Sequence, residues 1–291
     1  MKTILVIGKS GQLAWELSEL SSPEVRLIFL GRNEINITSK KEVFDTLVKY
    51  SPNSVINAAA YTAVDLAEKE KDKAYLINAI AVGYLAETCK TLSIHLTHIS
   101  TDFVFDGSKS SPYLVGDAIN PISVYGASKA EGEALLKKHL SNEACIIRTS
   151  WVYSTHGNNF VKTMLRLMQE KTELGIISDQ VGTPTYAKGL AQACLFSAIN
   201  KITGTHHWTD YGVASWYDFA VVIQEIAYKK KILKKRIPIS PIRTQDYPTP
   251  AKRPSYSLLD KQSLTTSFAA LEKKHWSLQF EDMLGQLLKT N

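Results

Sequence analysis

Cysteine is scarce in this sequence of 291 residues, which contains only Cys89, Cys145 and Cys194. The number is odd, the spacing is wide, and no Cys-x-x-Cys pair occurs. A disulfide framework and a zinc site are therefore not expected. Because free thiols are typical of a reducing compartment, we predict a cytoplasmic protein.

Long apolar runs and internal repeats are also missing. No run approaches the roughly 18 apolar residues that a membrane-spanning helix needs. The run at residues 4–7 follows Lys2, but it is too short for the core of a secretory signal, and Gly8 ends it. We therefore predict neither a membrane partner nor a cleaved leader.

Positive charge exceeds negative charge only moderately in this sequence. The net charge of +6 suits an anionic ligand without identifying one. The densest basic run, residues 229–236, lacks the context of a recognition helix or a zinc finger. We expect a solvated helix end and loop there, and no nucleic-acid partner.

What the sequence does contain is a regular alternation of short apolar runs with helical patterns. Predicted strands occupy residues 3–7, 26–30, 54–60, 95–100 and 144–149, and predicted helices residues 12–20, 39–50, 72–92 and 124–139. This order is typical of an α/β protein with a doubly wound parallel sheet of the Rossmann type. We place a dinucleotide-binding domain at residues 1–150, and at residues 151–291 a smaller, mainly substrate-binding region partly interleaved with the sheet. Further helices are predicted at 159–169, 188–200 and 215–228, whereas the proline-rich stretch 237–254 is predicted to be a loop or linker.

A glycine-containing turn joins the first predicted strand to the first helix. Its members are Gly8, Ser10, Gly11, Gln12 and Leu13. Gly8 permits a tight turn, and Gly11 lets the backbone approach a pyrophosphate without a Cβ in the way. The helix N-terminus then presents free N–H groups to the phosphates. The turn therefore predicts dinucleotide binding, although an ordinary strand–helix turn is the alternative.

The end of the second strand bears on the choice of cofactor. An acidic residue there would bind the ribose hydroxyls of NAD, but the sequence has Gly31 and Arg32. Arginine suits the additional phosphate of NADP, so we favour NADPH over NADH; a surface arginine without a ligand is the alternative. Asn36 and Ile37 follow and are predicted to contact the adenine.

Tyr125 and Lys129 are four residues apart at the start of a predicted helix, so both lie on one face. A neighbouring ammonium stabilises a phenolate and is expected to bring the tyrosine pKa toward neutrality. The preceding strand ends at Thr101, and ligands of doubly wound sheets lie at the carboxyl ends of the strands. A hydroxyl, a phenol and an ammonium at that edge are the minimum apparatus for reducing a ketone with a nicotinamide cofactor.

With these residues the chain resembles the extended short-chain dehydrogenases/reductases and, more narrowly, the dTDP-4-dehydrorhamnose reductase family, nearly from end to end. The most specific segments are Ser100-Thr101-Asp102-Phe103, Tyr125-Gly126-Ala127-Ser128-Lys129 and Arg148-Thr149-Ser150-Trp151. The resemblance implies reduction of the C4 keto group of dTDP-4-dehydro-L-rhamnose to dTDP-L-rhamnose, with Tyr125 as proton donor.

The resemblance also implies roles for further residues. Thr101 and Lys129 would join Tyr125 in catalysis, and Tyr125 and Lys129 would also bind the cofactor. Ala60, Tyr61 and Thr62 would line the cofactor at the tip of the third strand. The substrate would be bound by Thr101, Asp102, Trp151 and Arg253. Core packing is the alternative for Trp151, and a surface position is the alternative for Arg253.

Some family members join subunits through a magnesium ion held by glutamates. Glu16 is present here, but Lys188 and Gln286 stand where other acidic ligands would be expected. We therefore predict no metal, and a monomer or weak homodimer.

Other functions stay open at this stage. A related 4-reductase could make another 6-deoxyhexose with the same residues. A non-catalytic NADP-binding regulatory subunit is disfavoured by the intact Thr101, Tyr125 and Lys129. An epimerase or dehydratase is the third alternative, but Phe103 stands where dehydratases commonly have a glutamate.

Overall fold

A computed structural model describes residues 1–20 and 23–290. The strands are β1 (Lys2–Ile7), β2 (Val25–Leu30), β3 (Ser54–Asn57), β4 (His95–Thr101), β5 (Cys145–Thr149), β6 (Val152–Tyr153), β7 (Leu174–Ile177), β8 (Val181–Gly182), β9 (Thr185–Tyr186), β10 (Gly204–His207), β11 (Ala214–Ser215) and β12 (Ile239–Ile242). The helices are α1 (Gln12–Ser18), α2 (Lys40–Tyr50), α3 (Val64–Ala67), α4 (Lys71–Tyr75), α5 (Ala81–Thr91), α6 (Val124–Leu140), α7 (Phe160–Glu170), α8 (Ala187–Asn200), α9 (Trp216–Lys229), α10 (Gln262–Thr265) and α11 (Trp276–Thr290).

The main sheet confirms the predicted doubly wound α/β fold. Its six strands run parallel in the order β10-β5-β4-β3-β1-β2. The chain moves outward in one direction from β1 to β2 and in the other from β3 to β10. The order therefore reverses between β1 and β3, and a crevice for a ligand opens at the carboxyl ends of these two strands.

Helices cover both faces of this sheet, which explains why the first strand is a continuous buried apolar run from Ile4 to Ile7. Successive side chains of a strand point to opposite faces. Leu5 and Ile7 accordingly pack with α2, α5 and α6, whereas Ile4 and Val6 pack with α1 and α8. The two layers fix the carboxyl edge of the sheet as a rigid platform.

The second half of the chain builds a separate core and also contributes to the sheet. Helices α7, α9 and α11 enclose an apolar cluster that includes Tyr153, Phe219 and Phe280. Strand β10 pairs in parallel with β5, at the edge of the main sheet. Neither β10 nor α11 was predicted from the sequence.

The prediction of an irregular loop or linker over residues 237–254 was wrong in part. Strand β12 lies within it and pairs in parallel with β7. Pro241 is tolerated because the two strands form an isolated ribbon in which β12 needs hydrogen bonds on one side only. In the described part of the chain, no helix combines the length and apolarity needed to cross a bilayer.

Candidate active site

The strand tip at β4 contributes Thr101 and Asp102, both buried. The Thr101 hydroxyl donates to Asp102 Oδ1 at 3.0 Å and accepts from the Phe103 backbone N–H at 3.2 Å. Asp102 Oδ2 makes no hydrogen bond of ordinary length to the described residues, although the Ser257 hydroxyl acts on this carboxyl. The buried hydroxyl of Thr149, on β5 beside Thr101, also has no partner among the described residues. Buried polar atoms without partners mark a place where a polar ligand or water is accommodated.

Helix α6 carries Tyr125 and Lys129, and its first turn is held by two side chains. Ser123 accepts from the Gly126 N–H at 3.2 Å, and Glu68 accepts from the Val124 N–H at 2.9 Å. Such caps satisfy N–H groups that have no partner within the helix. The start of α6 is therefore fixed where Tyr125 stands.

Two glycines let α6 approach the site closely. A Cβ at Gly126 would overlap the Phe103 carbonyl oxygen, and a Cβ at Gly132 would overlap that of Asn78. Asn78 lies in a single π-helical turn, Leu76–Ile80, between α4 and α5. Any larger residue at either glycine would push Tyr125 and Lys129 away from the β4 tip.

The pKa of Tyr125 departs from the expectation that Lys129 would lower it. Burial raises this pKa to about 12, and the neighbouring hydroxyl of Thr101 opposes that effect. Burial lowers the pKa of Lys129 to about 8. Lys129 Nζ donates to the Ile99 carbonyl oxygen at 2.6 Å and lies 3.3 Å from His98 Nε2. At neutral pH the phenol of Tyr125 is thus protonated, as a proton donor must be.

Asp102 is the third group with a shifted pKa. Burial raises it to about 6, against the opposing effect of the Ser257 and Thr101 hydroxyls. A carboxyl that titrates so close to neutrality can both accept and donate hydrogen bonds to sugar hydroxyls.

A buried ion pair holds α6 to the neighbouring strands. Arg148 Nε and Nη2 donate to Glu133 Oε1 at 2.9 Å and Oε2 at 2.7 Å, and the Ser100 hydroxyl donates to Oε1 at 2.5 Å. Both charged side chains are only 1% exposed. A bidentate, fully partnered pair of this kind fixes geometry as well as charge. It connects the catalytic helix with β4 and β5.

The glycine turn lies at the crevice between β1 and β3. Gly8 has a φ of +108°, and a Cβ there would come within 2.7 Å of the Ala59 nitrogen, so the turn demands glycine. A Cβ at Gly11 would meet nothing closer than 3.5 Å, which leaves space above the helix N-terminus for a pyrophosphate. Ser10 is exposed beside it, whereas Leu13 is buried in the core. The turn fits the phosphates of a dinucleotide.

Gln12 uses both ends of its side chain within the protein. It donates to the Val152 carbonyl oxygen at 3.5 Å and accepts from Asn159 Nδ2 at 2.9 Å. The start of α1 is thereby tied to the second half of the chain.

The tip of β2 leaves Arg32 exposed, with no carboxylate of the described residues within ion-pair distance. Glu34 accepts from the Gly31 N–H at 2.8 Å and pairs with Lys9 at 3.0 Å. Glu34 is thus already bound within the protein, and Arg32 is the charged residue left at the tip of β2, where the sequence predicts the cofactor ribose.

Asn36 is engaged locally as well. Its Oδ1 accepts from the Thr38 N–H and hydroxyl, at 3.1 and 2.7 Å. Ile37 is half-buried and packs with the core on this face. The Asn36 amide oxygen is thus already used by two hydrogen bonds within the protein. A contact of Asn36 or Ile37 with the adenine stays a prediction.

Ala60, Tyr61 and Thr62 follow β3 as predicted, but the Tyr61 side chain turns inward. Its backbone is clamped by Asn78, which accepts from the Tyr61 N–H at 2.8 Å and donates to the Tyr61 carbonyl at 3.0 Å. The Tyr61 ring packs in a small cluster with Tyr125. Tyr61 therefore packs against Tyr125, while Ala60 is half-buried and Thr62 exposed. Contacts of these three residues with a cofactor stay a prediction.

Trp151 follows β5 with a φ of +47°, which is rare for a bulky residue. Its indole stacks on Trp216 at 3.6 Å between ring centroids. Strained backbone of this kind is concentrated at functional sites. The stack combines a packing role with an aromatic wall near the carboxyl edge.

Arg253 is paired inside the protein. Its Nη2 donates to Asp65 Oδ2 at 2.7 Å and its Nη1 to Oδ1 at 3.1 Å. The pair ties the segment that follows β12 to α3. Among the described residues, no group of three histidine, cysteine, aspartate or glutamate side chains could hold a metal ion. The expected absence of a metal stays a prediction.

Sequence reasoning missed Asn57, His98 and the pair Glu133–Arg148. Buried polar residues at the end of apolar strands were the available signal, since such groups need partners. The partners themselves lie 15–41 residues away in sequence and could not be inferred.

Comparison with known proteins gives similarities over almost the whole chain. The family model described as RmlD substrate binding domain matches residues 1–289. The dTDP-4-dehydrorhamnose reductase of Aggregatibacter actinomycetemcomitans is 42% identical over 284 residues, 95% of this chain and 96% of that protein.

Two solved structures are similar throughout. The dTDP-4-dehydrorhamnose reductase of Clostridium acetobutylicum superposes with a TM-score of 0.91 at 38% identity, covering 98% of this chain and 99% of that one. The reductase of Bacillus anthracis, in complex with NADP, superposes with a TM-score of 0.90 at 34% identity, with the same coverage of 98% and 99%.

Proposed function

The chain belongs to the RmlD substrate-binding domain family, that of the dTDP-4-dehydrorhamnose reductases, and from this premise we propose that it reduces the C4 keto group of dTDP-4-dehydro-L-rhamnose to dTDP-L-rhamnose, using NADPH. The observation that carries the proposal is that helix α6 holds Tyr125 beside the Thr101 hydroxyl at the β4 tip and Lys129 against the Ile99 carbonyl of the same strand. The glycine turn after β1 supports it, because a Cβ at Gly11 would meet nothing closer than 3.5 Å. Asp102 and Thr149 also stand at the carboxyl ends of β4 and β5, each with a buried polar atom that has no hydrogen-bond partner in the described residues.

A nicotinamide cofactor held by the glycine turn after β1 would supply the hydride that the carbonyl carbon needs. Tyr125 gives its phenolic proton to the carbonyl oxygen, which requires the protonated form that its raised pKa maintains at neutral pH. The Thr101 hydroxyl binds near the same oxygen. The ammonium form of Lys129 stabilises the phenolate that proton transfer leaves behind.

The sugar nucleotide is proposed to lie across the carboxyl ends of β4 and β5. Asp102 Oδ2, which lacks a partner, binds a sugar hydroxyl. Trp151 forms a wall of the sugar site. Arg253, held in place by Asp65, faces the nucleotide diphosphate.

Arg32 supports the choice of NADPH, since an exposed guanidinium at the β2 tip suits a 2′-phosphate. NADH is the weaker alternative. We further propose a cytoplasmic monomer or weak homodimer, without nucleic-acid or membrane partners. Residues 1–150 mainly bind the cofactor and residues 151–291 mainly the substrate.

The test is NADPH oxidation with dTDP-4-dehydro-L-rhamnose, followed by chromatographic identification of the product. Formation of dTDP-L-rhamnose is expected. A different 6-deoxyhexose would reassign the stereochemistry at C4 and so make the chain a related 4-reductase. Cofactor binding without turnover, with NADPH and with NADH, would contradict the proposal and favour a regulatory subunit.

A further inference from the structure

Two buried polar side chains lie beneath Lys129, on the side away from the cleft. Asn57 ends β3 and His98 lies directly beside it on β4. Asn57 is 1% and His98 0% exposed. Neither side chain belongs to the reacting groups assigned above, yet His98 lies against Lys129.

Hydrogen bonds assign the proton on the His98 ring. The Ala59 N–H donates to Asn57 Oδ1 at 3.2 Å, so the other end of this amide, Nδ2, must point to His98. Asn57 Nδ2 lies 3.1 Å from His98 Nδ1 and donates to it. An imidazole whose Nδ1 accepts carries its proton on Nε2 when neutral. His98 is held neutral because burial keeps its pKa well below the usual value, with the neighbouring Lys129 adding to that effect.

The Nε2–H group therefore points at Lys129 Nζ, 3.3 Å away. An N–H dipole facing an ammonium repels it, whereas it donates favourably to the lone pair of a neutral amine. The Ile99 carbonyl oxygen accepts from the same Nζ at 2.6 Å and fixes its position from the other side.

We propose that Asn57 and His98 are positioning residues, which hold Lys129 Nζ against the Ile99 carbonyl and favour its neutral amine form, so that they determine the pH above which turnover declines. Asn57 acts through His98, and His98 acts through Lys129. The part of the proposal that concerns turnover rests on the proposed function; the part that concerns the His98 tautomer does not.

Other charged or titratable groups also face Lys129. Glu133, on the same helix, favours the ammonium form but is neutralised by Arg148. Tyr125 lies one turn before Lys129 on α6, and Asp102 follows the tip of β4. None of them is altered by a substitution at His98, so a change in the pH profile can be assigned to the imidazole.

The first experiment compares His98→Asn with His98→Gln in the reductase assay across pH. A glutamine Nε2 stands near the place of the imidazole Nε2 and keeps a donor toward Lys129, whereas an asparagine does not reach. In His98→Asn the alkaline limb of kcat/KM is expected to move upward by on the order of half to one pKa unit. In His98→Gln the limb is expected to stay near that of the parent protein.

His95→Asn is the matched control. His95 lies on the same strand, is also largely buried, and contacts the Ile202 carbonyl at 2.7 Å, far from Lys129. The proposal would be overturned if the alkaline limb of kcat/KM stayed unchanged in His98→Asn, or if it moved equally in His95→Asn.

A second measurement needs neither a variant nor the substrate. Nitrogen-15 NMR of the histidine rings in the full chain is expected to show His98 neutral, protonated on Nε2, and perturbed as Lys129 titrates near pH 8. A His98 ring protonated on Nδ1 would overturn the proposal even if every variant failed to fold. Because this result is independent of turnover, it separates failure of this inference from failure of the proposed function.

Discussion

The two sides of the β4 tip contrast sharply in how their polar groups are partnered. On the side facing the helices, Asn57, His98 and Lys129 form one connected set, and Glu133 with Arg148 forms another. At the carboxyl ends of β4 and β5, by contrast, Asp102 Oδ2 and the Thr149 hydroxyl are buried without partners in the described residues.

We infer from this difference that the partnered groups support the site and that the unpartnered groups belong to its binding surface. A buried and fully hydrogen-bonded pair such as Glu133 with Arg148 is rigid and costly to disturb in a low-dielectric interior. Unsatisfied groups cost stability in the free protein and are completed by a ligand. Substitutions on the supporting side should therefore reduce stability, whereas those on the cleft side should reduce activity with little or opposite effect on stability.

The largest effect on activity, with the least effect on stability, is expected for a substitution of Tyr125. In Tyr125→Phe the proton donor is lost while the ring keeps its packing against Tyr61 and the edge of Phe103. Turnover should fall by about 10²–10⁴-fold. Cofactor affinity and thermal midpoint should stay near those of the parent chain. Turnover within a few-fold of the parent would remove Tyr125 from the role of donor.

On the supporting side, Arg148→Met should destabilise the fold by about 3–5 kcal/mol, because it leaves the Glu133 carboxylate buried and unpaired. Denaturant unfolding measures the loss. The double variant Arg148→Met/Glu133→Leu should recover most of it, since both charges are gone. If Arg148→Met lowered the free energy of unfolding by no more than a surface substitution does, the Glu133–Arg148 pair would not stabilise this side of the site.

Asp102→Asn should raise stability and lower activity. The pKa of this carboxyl rises from 3.8 to about 6 on folding, so the folded state binds its proton more tightly than the unfolded chain does. The ionised form therefore costs stability as the pH rises from the unfolded pKa toward the folded one, roughly 3 kcal/mol at neutrality, and little of this cost remains at pH 4.

Unfolding of parent and variant at pH 7 and pH 4 tests this directly. A gain at pH 7 that disappears at pH 4 is expected, together with a higher KM for the sugar nucleotide. Equal gains at both pH values would mean that ionisation is not the cause.

At the outer edge of the sheet, the expected effect is smaller. Arg32→Ala should raise KM for NADPH about tenfold while that for NADH changes little, since one charge-assisted contact to a phosphate is lost. Arg26→Ala is the matched control, because Arg26 is exposed near the opposite end of the same strand. Equal changes for both cofactors would contradict a contact between Arg32 and a 2′-phosphate.

Several features were predictable because they depend on neighbours in sequence. The predicted helix start at Ser215 is confirmed as a reciprocal capping box, with Asp218 accepting from the Ser215 N–H at 2.8 Å. At the start of the predicted helix 39–50, the Ser-x-x-Glu spacing of Ser39 and Glu42 is typical of such a box, but only half of it forms. Ser39 accepts from the Glu42 N–H, whereas the Glu42 carboxylate accepts from the Asn36 N–H. A competing donor brought in by the preceding turn was not visible in the spacing.

The sequence by itself determined the order of strands and helices as far as β5, the glycine demanded by the first turn, and the common face of Tyr125 and Lys129. All of these follow from local periodicity and backbone sterics. Only the tertiary structure decided that Lys129 would face His98, that Arg253 would pair with Asp65, and that burial would raise the pKa of Tyr125. Those outcomes depend on side chains from distant strands and on the exclusion of water, because hydrogen bonds and desolvation are properties of the packed edge and not of any one segment.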